Sequence, residues 1–510
     1  MTLSLPDQAV LLAYFGLMLG MGFYFSRGNN STEQYFLGGR NFSGWVIGLS
    51  LVGTSISSIT FLAYPGDAFK TNWLRFLPNL MLPLAVIIAA YWFLPRLRAR
   101  GSVTAYEFLE TRFGPLIRGY AATAFLIAQL ARISMILYLL SLVIQSITGL
   151  DAHLCVVIAG LFVIVYTLLG GIEAVVWTDV IQTIVLLAGG IFCLGIIVNA
   201  VPGGLSAIID TAWQADKISV GELTAEGYRP ANWGLLLNQK TATMMLAIGL
   251  INWLTEYSSN QNTVQRFCAS RSEAEARKAM FVCAIVSVPT WAFFMFLGSA
   301  LWVFFETFPA ATATAVMSGD AKAEEILPFF ITSYLPQGLV GLVLAAAIAA
   351  AMSSLDSSIN AIATVSTHDI YRRFLRTGLT DTDYLRFARW ITTVTGGLMI
   401  AGALYLIDTS TTTLQDTATI ITALLAGGLL TIYLIGFFSK RCDTRHLVLG
   451  IIATMIFTLW TMASARGVVD YPFDLYYTGL LGNIVMFLVA WGSTYVFPTK
   501  VRAAESNINQ

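Results

Sequence analysis

The chain has 510 residues, of which 56% are hydrophobic and only 11% are charged. Soluble proteins carry about 25% charged residues, so this composition leaves too little charge to cover a soluble surface. It indicates an all-α integral membrane protein in contact with the lipid bilayer, and it excludes disorder and a disulfide-rich secreted scaffold. The 29 basic and 29 acidic residues balance, which gives no basic surface for nucleic acid.

Thirteen apolar stretches are long enough to cross about 30 Å of hydrocarbon as helices. They cover residues 8–26, 44–65, 76–95, 117–147, 152–172, 174–201, 242–258, 278–306, 337–365, 386–408, 415–438, 445–465 and 473–497. The first stretch has no Lys or Arg before it and Arg27 after it, which is typical of a retained helix and not of a signal peptide. An odd number of crossings puts the two termini on opposite sides of the membrane.

The distribution of basic residues predicts the orientation. If the N-terminus is outside, the cytoplasmic loops, in which we place Arg266, hold more than twice as many Lys and Arg residues as the outer loops. We therefore expect a multi-pass protein of the cell inner (plasma) membrane, with its N-terminus outside and its C-terminus in the cytoplasm. Arg132 is the exception, because it lies halfway along the fourth stretch, and the count leaves it as the one basic residue far from both surfaces.

The stretches predict one transmembrane domain over residues 1–510. An extra helix (8–26) precedes two groups of five helices (44–201 and 242–438), and two further helices (445–497) follow. A group with an odd number of crossings is inverted relative to the next group, so the two groups are compatible with the inverted repeats of secondary transporters.

Hydroxyl side chains crowd the second stretch between Ser50 and Phe61. They could bond back to the carbonyls of a regular helix. Their density favours an unwound segment, where free backbone carbonyls line a cavity and bind an ion.

The ninth stretch places Ser353, Asp356 and Ser357 on one helix face, because they are spaced i, i+3, i+4. Serines alone would indicate helix packing. With the aspartate, these hard oxygens indicate a site for a cation such as Na⁺. Asp179, one turn inside the cytoplasmic end of the sixth stretch, could join such a site, be solvated or cap a helix.

Arg132 has no acidic residue one turn away on its own helix. A guanidinium in the membrane must find an anion or carbonyls in a cavity. One interpretation is a structural salt bridge to Asp179, Glu256 or Asp356. The other is capture of a solute carboxylate, for which the forked guanidinium is well suited.

The sequence contains no nucleotide-binding, hydrolase or metalloprotease motif, so neither an enzyme nor an ATP-driven pump is expected. A receptor that binds a solute without transporting it is the alternative to a transporter. We expect no signalling module, because only about thirteen residues follow the last stretch, and no obligate protein partner is implied.

Several motifs occur in the order seen in one transporter family. They are residues 35–40 (YFLGGR), 57–61 (SSITF), 166–182 (YTLLGGIEAVVWTDVIQ), 263–266 (TVQR), 353–354 (SS) and 369–371 (DIY). Through them the chain resembles the sodium:solute symporter family. The resemblance implies a LeuT-type fold with two inverted five-helix repeats, and Na⁺ as the co-transported ion.

The resemblance also implies ion sites. The family's common sodium site corresponds to the carbonyls of Gly53, Ile56 and Ala350 and the hydroxyls of Ser353 and Ser354. A second cation site, found in some members, corresponds to Asp179, Ser353, Asp356 and Ser357. Asp356 replaces what is usually a small or hydroxyl residue, so coupling to one Na⁺, to two Na⁺ or to Na⁺ with H⁺ stays open.

Segment by segment, the chain is most similar to bacterial sialic acid symporters within this family. That similarity implies a solute site at Ser55, Ser57, Thr60, Arg75, Asn79 and Arg132. Arg132 would hold the carboxylate, Arg75 replaces an aromatic residue, and Asn79 is shorter than the usual glutamine. An anionic sugar such as sialic acid is the expected solute, and a neutral sugar, a polyol or another small carboxylate is the alternative.

Overall fold

The computed structural model describes residues 3–28, 30–57, 59–98, 101–224, 227–409, 428–465, 468–470 and 472–498. The regular secondary structure in these ranges is helical apart from one antiparallel hairpin, in which β1 (Gly221–Thr224) pairs with β2 (Gly227–Pro230), and an isolated bridge between Phe42 and Ser270. Most of the predicted eleventh stretch, up to residue 427, lies outside the described residues.

The helices before the hairpin are α1 (Leu5–Ser26), α2 (Thr32–Leu37), α3 (Gly44–Ser55), α4 (Tyr64–Lys70), α5 (Leu82–Ile88), α6 (Leu94–Arg98), α7 (Glu107–Phe113), α8 (Pro115–Thr148), α9 (Ala152–Ala200) and α10 (Gly204–Gln214). The helices after it are α11 (Ala242–Ser259), α12 (Gln261–Ala269), α13 (Glu273–Thr307), α14 (Ala311–Ser318), α15 (Ile326–Tyr334), α16 (Leu339–Val365), α17 (Asp381–Thr409), α18 (Leu429–Phe438), α19 (Thr444–Ala465) and α20 (Thr478–Val496). Short 3₁₀ segments (Gly38–Arg40, Leu74–Met81, Ala323–Glu325, Leu475–Tyr477) and π-helical segments (Ile59–Ala63, Ala89–Phe93, Ser366–Leu375) complete them.

Among the described residues, nine helical segments are long and apolar enough to cross a membrane, and a bent pair makes a tenth. One of the nine, α9, has 49 residues and would be about 74 Å long if straight, which is far more than one crossing needs. It bends at Gly171, whose backbone (φ 57°, ψ −160°) is not helical and is accessible to glycine without strain. The fifth and sixth predicted stretches are therefore two arms of α9, while the total of thirteen crossings stays a prediction.

The second predicted stretch is interrupted in the middle, as the hydroxyl-rich sequence indicated. Helix α3 ends at Ser55, and Ile56 is extended (φ −99°, ψ 106°). A π-helical turn (Ile59–Ala63) then leads into α4, and the two halves meet at an angle of 60°. The interpretation as one regular helix is thus wrong, and backbone carbonyls at the end of α3 are available to other partners.

Helix α16 is the most enclosed of the long helices. In the apolar part of the segment that begins with α16, 89% of the residues are buried, whereas only 17% are buried in the apolar part of α1. It packs against α1, α8, α9 and α17, so its serines and Asp356 face protein and not lipid.

Asp7 joins α1 to the start of α16. Its carboxylate is 3% exposed and accepts hydrogen bonds from the backbone amides of Gly338 and Gly341, at 2.8 and 2.7 Å. These amides lie where α16 begins and have no partner within the helix, so Asp7 supplies the acceptor that a capping residue usually provides.

A charged cluster holds three helical segments together. Glu110 of α7 bonds Arg118 of α8 at 2.6 Å and Arg373, after α16, at 2.7 Å. Arg118 also bonds the buried carboxylate of Asp369 at 2.6 Å. The cluster therefore links α7, α8 and the π-helical end of α16.

Candidate functional site

The end of α3 meets the middle of α16 through backbone and hydroxyl oxygens. The Ser353 hydroxyl lies 2.8 Å from the Gly53 carbonyl oxygen and 3.3 Å from that of Ala350. Three of the five predicted ligands of the first sodium site therefore lie together. All three residues are buried, and oxygens of this kind are the ligands that hard cations prefer.

The local sequence explains why these oxygens are available. Because α3 ends at Ser55, the Gly53 carbonyl has no amide one turn later in the helix to accept from. A side chain at position 53 would place its Cβ 2.8 Å from Thr183 Oγ1 and 3.1 Å from the Asp179 carbonyl, so glycine allows α3 and α9 to approach closely.

The other two predicted ligands of this site lie beside it. The Ser354 hydroxyl points to the Thr54 carbonyl at 3.5 Å, one residue after Gly53. Ile56 forms the extended C-cap of α3, and its own amide bonds Val52. The five residues are thus grouped at the break.

Asp179, a predicted ligand of the second cation site, forms an ion pair with Arg266 of α12. The guanidinium Nη2 lies 2.8 Å from Asp179 Oδ2 and 2.6 Å from the Ser357 hydroxyl. Ser50 lies 2.5 Å from the same carboxylate oxygen and 2.8 Å from Arg266 Nε. A protein cation therefore contacts two of the four predicted ligands.

The placement of Arg266 corrects the sequence analysis, which put it in a cytoplasmic loop. Its side chain is 1% exposed and is held in α12, where Nη1 also bonds the Asn262 carbonyl at 2.8 Å. A second arginine besides Arg132 therefore lies among the membrane-spanning helices, in contact with Asp179 and Ser357. The motif 263–266 contained Arg266, but neither composition nor spacing indicated its partner.

Asp356 has a different set of partners. Its Oδ2 accepts from the Tyr166 hydroxyl at 2.7 Å, and its Oδ1 accepts from the Ser357 amide at 2.5 Å. The Thr178 hydroxyl lies 3.5 Å from Oδ2. The carboxylate is fully buried, and within the described part of the chain no basic residue forms an ion pair with it.

A cavity of about 270 Å³ opens beside the break in the second span. It is lined by Ser55, Ser57, Ile59, Thr60, Tyr64, Asn79, Ala131, Arg132, Met135, Ile136, Trp253 and Trp291. Five of the six predicted solute residues are among them. The volume of about 270 Å³ is just below the usual range for small-molecule sites, about 300–1,000 Å³.

Aromatic side chains that the sequence analysis missed form part of the cavity wall. The rings of Trp253 and Trp291 lie 5.2 Å apart between centroids, and the Tyr64 hydroxyl accepts from the Asn79 amide at 2.8 Å. In sequence these residues sit within apolar runs, where an aromatic residue of the core and one of a cavity look the same.

Arg132 lies in this cavity wall without an ion pair to any described residue. The three carboxylates suggested as salt-bridge partners are bonded elsewhere. Asp179 pairs with Arg266 and Asp356 accepts from Tyr166, while Glu256 accepts from Asn260 and Thr263, at 2.6 Å each. The structure therefore does not contain the salt bridge that was the alternative role for Arg132.

Arg75, the sixth predicted solute residue, is outside the cavity lining. Its Nη1 bonds both carboxylate oxygens of Asp67, at 2.8 and 2.7 Å. Binding of solute by Arg75 would require this ion pair to open or to be shared, so its direct role in binding remains a prediction.

Known proteins are similar to this chain in sequence and in fold over nearly their whole length. The sodium/sialic acid symporter NanT of Aliivibrio fischeri is 30% identical over 98% of this chain and 95% of its own length. The sodium/sialic acid symporter SiaT of Proteus mirabilis is 31% identical over 94% and 92%. A solved structure of a Na⁺-coupled sialic acid symporter, in a substrate-bound outward-open state, matches with a TM-score of 0.87 and 29% identity over 98% of this chain and 99% of that one.

The family match covers the residues of both predicted ion sites and of the cavity. Residues 35–454 match the sodium:solute symporter family, and this range includes α3, α9, α12 and α16. The chain is a multi-pass membrane transporter that belongs to the sodium:solute symporter family.

Proposed function

We propose that this protein is a Na⁺-coupled symporter that imports a small anionic sugar, such as a sialic acid, across a bacterial inner membrane. The observation that carries the proposal is Arg132, a guanidinium in the wall of a cavity about 270 Å³ in volume, with no carboxylate paired to it among the described residues. A solute carboxylate bound bidentately by the Arg132 guanidinium would supply the missing anion.

The remaining cavity wall suits a sugar. Hydroxyls of Ser55, Ser57 and Thr60 and the amide of Asn79 offer hydrogen bonds to sugar hydroxyls. Trp253 and Trp291 offer an apolar face to the ring. The relatives NanT and SiaT are named as sodium/sialic acid symporters, which supports the same class of solute here.

One Na⁺ would bind at the break in the second span. The carbonyls of Gly53, Ile56 and Ala350 and the hydroxyls of Ser353 and Ser354 are the ligands that we propose for it. Each Na⁺ that enters down a potential of 100 mV contributes about 2.3 kcal/mol, in addition to its concentration gradient. Because this site and the cavity share the broken segment, occupancy of one can shape the other.

Alternating access would then expose the site to each side in turn. We propose that residues 44–201 and 242–438 form two inverted repeats that rock against each other, with the N-terminus outside and the C-terminus in the cytoplasm. The excess of basic residues in the proposed cytoplasmic loops supports this orientation. Helix 8–26 and the pair within 445–497 would lie outside the repeats.

Uptake into proteoliposomes tests the proposal. Labelled sialic acid and its neutral analogue with the carboxylate reduced to an alcohol are supplied outside, with and without an inward Na⁺ gradient. We expect the acid to accumulate only with the gradient, and more than the neutral analogue. Equal uptake of both would favour a neutral sugar or polyol, while gradient-independent uptake would contradict Na⁺ coupling.

A further inference from the structure

A second cavity, of about 360 Å³, lies between α1, α8, α9 and α16 and shares no lining residue with the solute cavity. None of the described residues that line it is charged, and apart from the hydroxyl of Thr148 and the thiol of Cys155 their side chains are apolar. The Thr148 hydroxyl already donates to the carbonyl of Ile144 at 2.7 Å, within its own helix. The wall therefore offers a polar ligand hardly any hydrogen bonds.

The apolar wall determines what can fill this cavity. A buried water needs two to four polar partners, and an apolar cavity of about 150 Å³ lined by Leu, Ile and Phe stays dry and takes up benzene instead. A larger space left empty would deprive the surrounding side chains of dispersion contacts on one side. The cavity therefore favours an apolar occupant larger than benzene.

The cavity follows the helices inward from their ends. Leu3 precedes α1, Leu150 joins α8 to α9, and Leu344 lies near the start of α16, so the ends of several helices meet at one end of the cavity. On α16 the wall continues to Met352, which lies roughly 12 Å beyond Leu344 at 1.5 Å per residue. The space is therefore long, and it runs parallel to membrane-spanning helices.

One side of the cavity reaches the outer surface of the helix bundle. Leu150 and Ile158 are 42% and 54% exposed, so this side faces the lipid. The opposite wall belongs to α16, where Leu344, Ile348 and Met352 are at most 6% exposed. An apolar molecule in the bilayer can therefore enter between the helices and contact residues that the outer surface does not present.

We infer that this cavity binds one acyl chain of a membrane phospholipid. The head group would stay at the membrane surface near Leu3 and Leu150, and the chain would run along α16 towards Met352. A phospholipid in a bilayer has this arrangement, because its head group lies at the surface and its chains extend into the hydrocarbon core. The lipid would be a bound ligand of the protein and not a transported solute.

The acyl chain would complete the packing of α16 against α1. Met352 lies in the cavity wall, and its sulfur accepts from the Tyr14 hydroxyl of α1 at 3.8 Å. Ser353, the next residue, contacts the Gly53 carbonyl of α3 at 2.8 Å. The chain would therefore lie one residue away from a proposed sodium ligand, although the inference depends neither on sodium coupling nor on the solute.

Photocrosslinking tests the inference on the purified full-length protein in nanodiscs. The probe is a phosphatidylethanolamine that carries one diazirine in an acyl chain, either close to the carbonyl carbon or close to the terminal methyl group. After illumination, peptide mass spectrometry locates the labelled residues. We expect the methyl-end probe to label Met352 and Ile348, which lipids on the outer surface cannot touch, and the carbonyl-end probe to label Leu344 instead.

Ala159→Phe and Ala401→Phe are a matched pair of variants. Ala159 lines the cavity on α9, so the larger side chain fills part of the space and should remove the labelling of Met352 and Ile348. Ala401 is exposed on α17 outside the cavity, and the same substitution there should leave the labelling as in the parent. Leu161, which is 53% exposed on α9, should be labelled equally in all three proteins, because lipid surrounds each of them.

Three outcomes would overturn the inference. Labelling confined to exposed residues such as Leu161 would mean that the chain does not enter the cavity. Labelling of Met352 by the carbonyl-end probe would contradict the direction of the chain, and labelling of Met352 that persists in a folded Ala159→Phe variant would contradict its path. The two probes decide the result in the parent protein even if Ala159→Phe does not fold, which its size-exclusion profile would show.

Discussion

Arg266 and Asp179 form an ion pair of 2.8 Å in which neither side chain is more than 1% exposed. The pair joins α12 to α9, and Ser50 of α3 bonds both partners, so one contact connects three helices. A buried pair of this kind contributes little net stability compared with apolar residues, but the loss of one partner leaves a buried charge unpaired.

We therefore expect Arg266→Gln to destabilise the protein strongly, by about 3–5 kcal/mol. The charge-conserving variant Asp179→Asn/Arg266→Gln should recover a large part of that loss. Thermal unfolding of the purified protein in detergent, compared among the parent, both single variants and the double variant, measures the coupling. Additive effects of the two substitutions would contradict an energetic link between these side chains.

Ser353→Ala tests the first sodium site. The variant should raise the Na⁺ concentration needed for half-maximal uptake by at least tenfold, equivalent to about 1.4 kcal/mol, because one ligand is lost. Protein abundance should change little, since alanine favours a helix. Thr364→Ala removes a hydroxyl that bonds only its own helix at 2.8 Å and is the control. If both variants show the Na⁺ dependence of the parent, Ser353 is not a ligand.

Arg132→Lys tests the anion-binding role in the cavity. The variant keeps the positive charge but loses the fork, so uptake of the acid should fall at least tenfold while the neutral analogue is affected less. Arg386→Lys, at an exposed position near the start of α17, should leave both unchanged. Lower thermal stability with an unchanged preference for the acid would instead indicate a structural role.

Asp7→Ala should loosen α1 from α16. The substitution leaves the backbone amides of Gly338 and Gly341 without their acceptor, which costs about 1–3 kcal/mol for buried groups. We expect a lower melting temperature, with Na⁺ affinity of the remaining folded protein close to that of the parent. Asp408→Ala, which alters a mostly exposed carboxylate, is the comparison. Equal melting temperatures for the two variants would argue against the capping role.

The ion pairs of Glu110 with Arg118 and Arg373 predict that the stability of the protein depends on pH. Burial alone would raise the pKa of this carboxyl, but hydrogen bonds and charges from Arg373 and Arg118 hold the pKa below its ordinary value of 4.5. A carboxyl whose pKa is lower in the folded state adds stability above its unfolded pKa and loses it as the pH falls.

We therefore expect Glu110→Gln to be less stable than the parent at pH 7, and the difference to shrink as the pH falls below about 4.5 through the folded-state pKa. Melting temperatures of both proteins measured from pH 7 downwards give the comparison. A difference that stays constant over this range would exclude the carboxylate charge as its cause.

The sequence predicted most of the architecture because the spans are set by long apolar runs. The break in the second span was also foreseeable, since hydroxyl residues crowd between Ser50 and Thr60 and Pro65-Gly66 follows. Five of the six solute residues inferred from the family resemblance line one cavity.

Arg266 was assigned wrongly because it follows a polar run and precedes Arg271 and Arg277, as a loop residue would. Its burial depends on how α12 folds back against α3 and α9, and no local pattern encodes that contact. Trp253 and Trp291 were missed because an aromatic residue in an apolar run gives no indication of whether it faces lipid, core or cavity. The contact of Tyr166 with Asp356 joins residues 190 positions apart, so only the packing of α9 on α16 reveals it.

The contact of Asp7 with the start of α16 constrains the order of assembly during synthesis. The two amides that its carboxylate accepts come 331 and 334 residues later in the chain. Helix α1 leaves the ribosome first, yet it cannot reach its final place until α2 to α15 have been made and α16 has entered the bilayer. Until then Asp7 is a carboxylate without its native partners, and it is best kept at the membrane surface. We therefore expect nascent chains that end before residue 338 to hold α1 loosely, and the docking of α1 to be one of the late steps of folding.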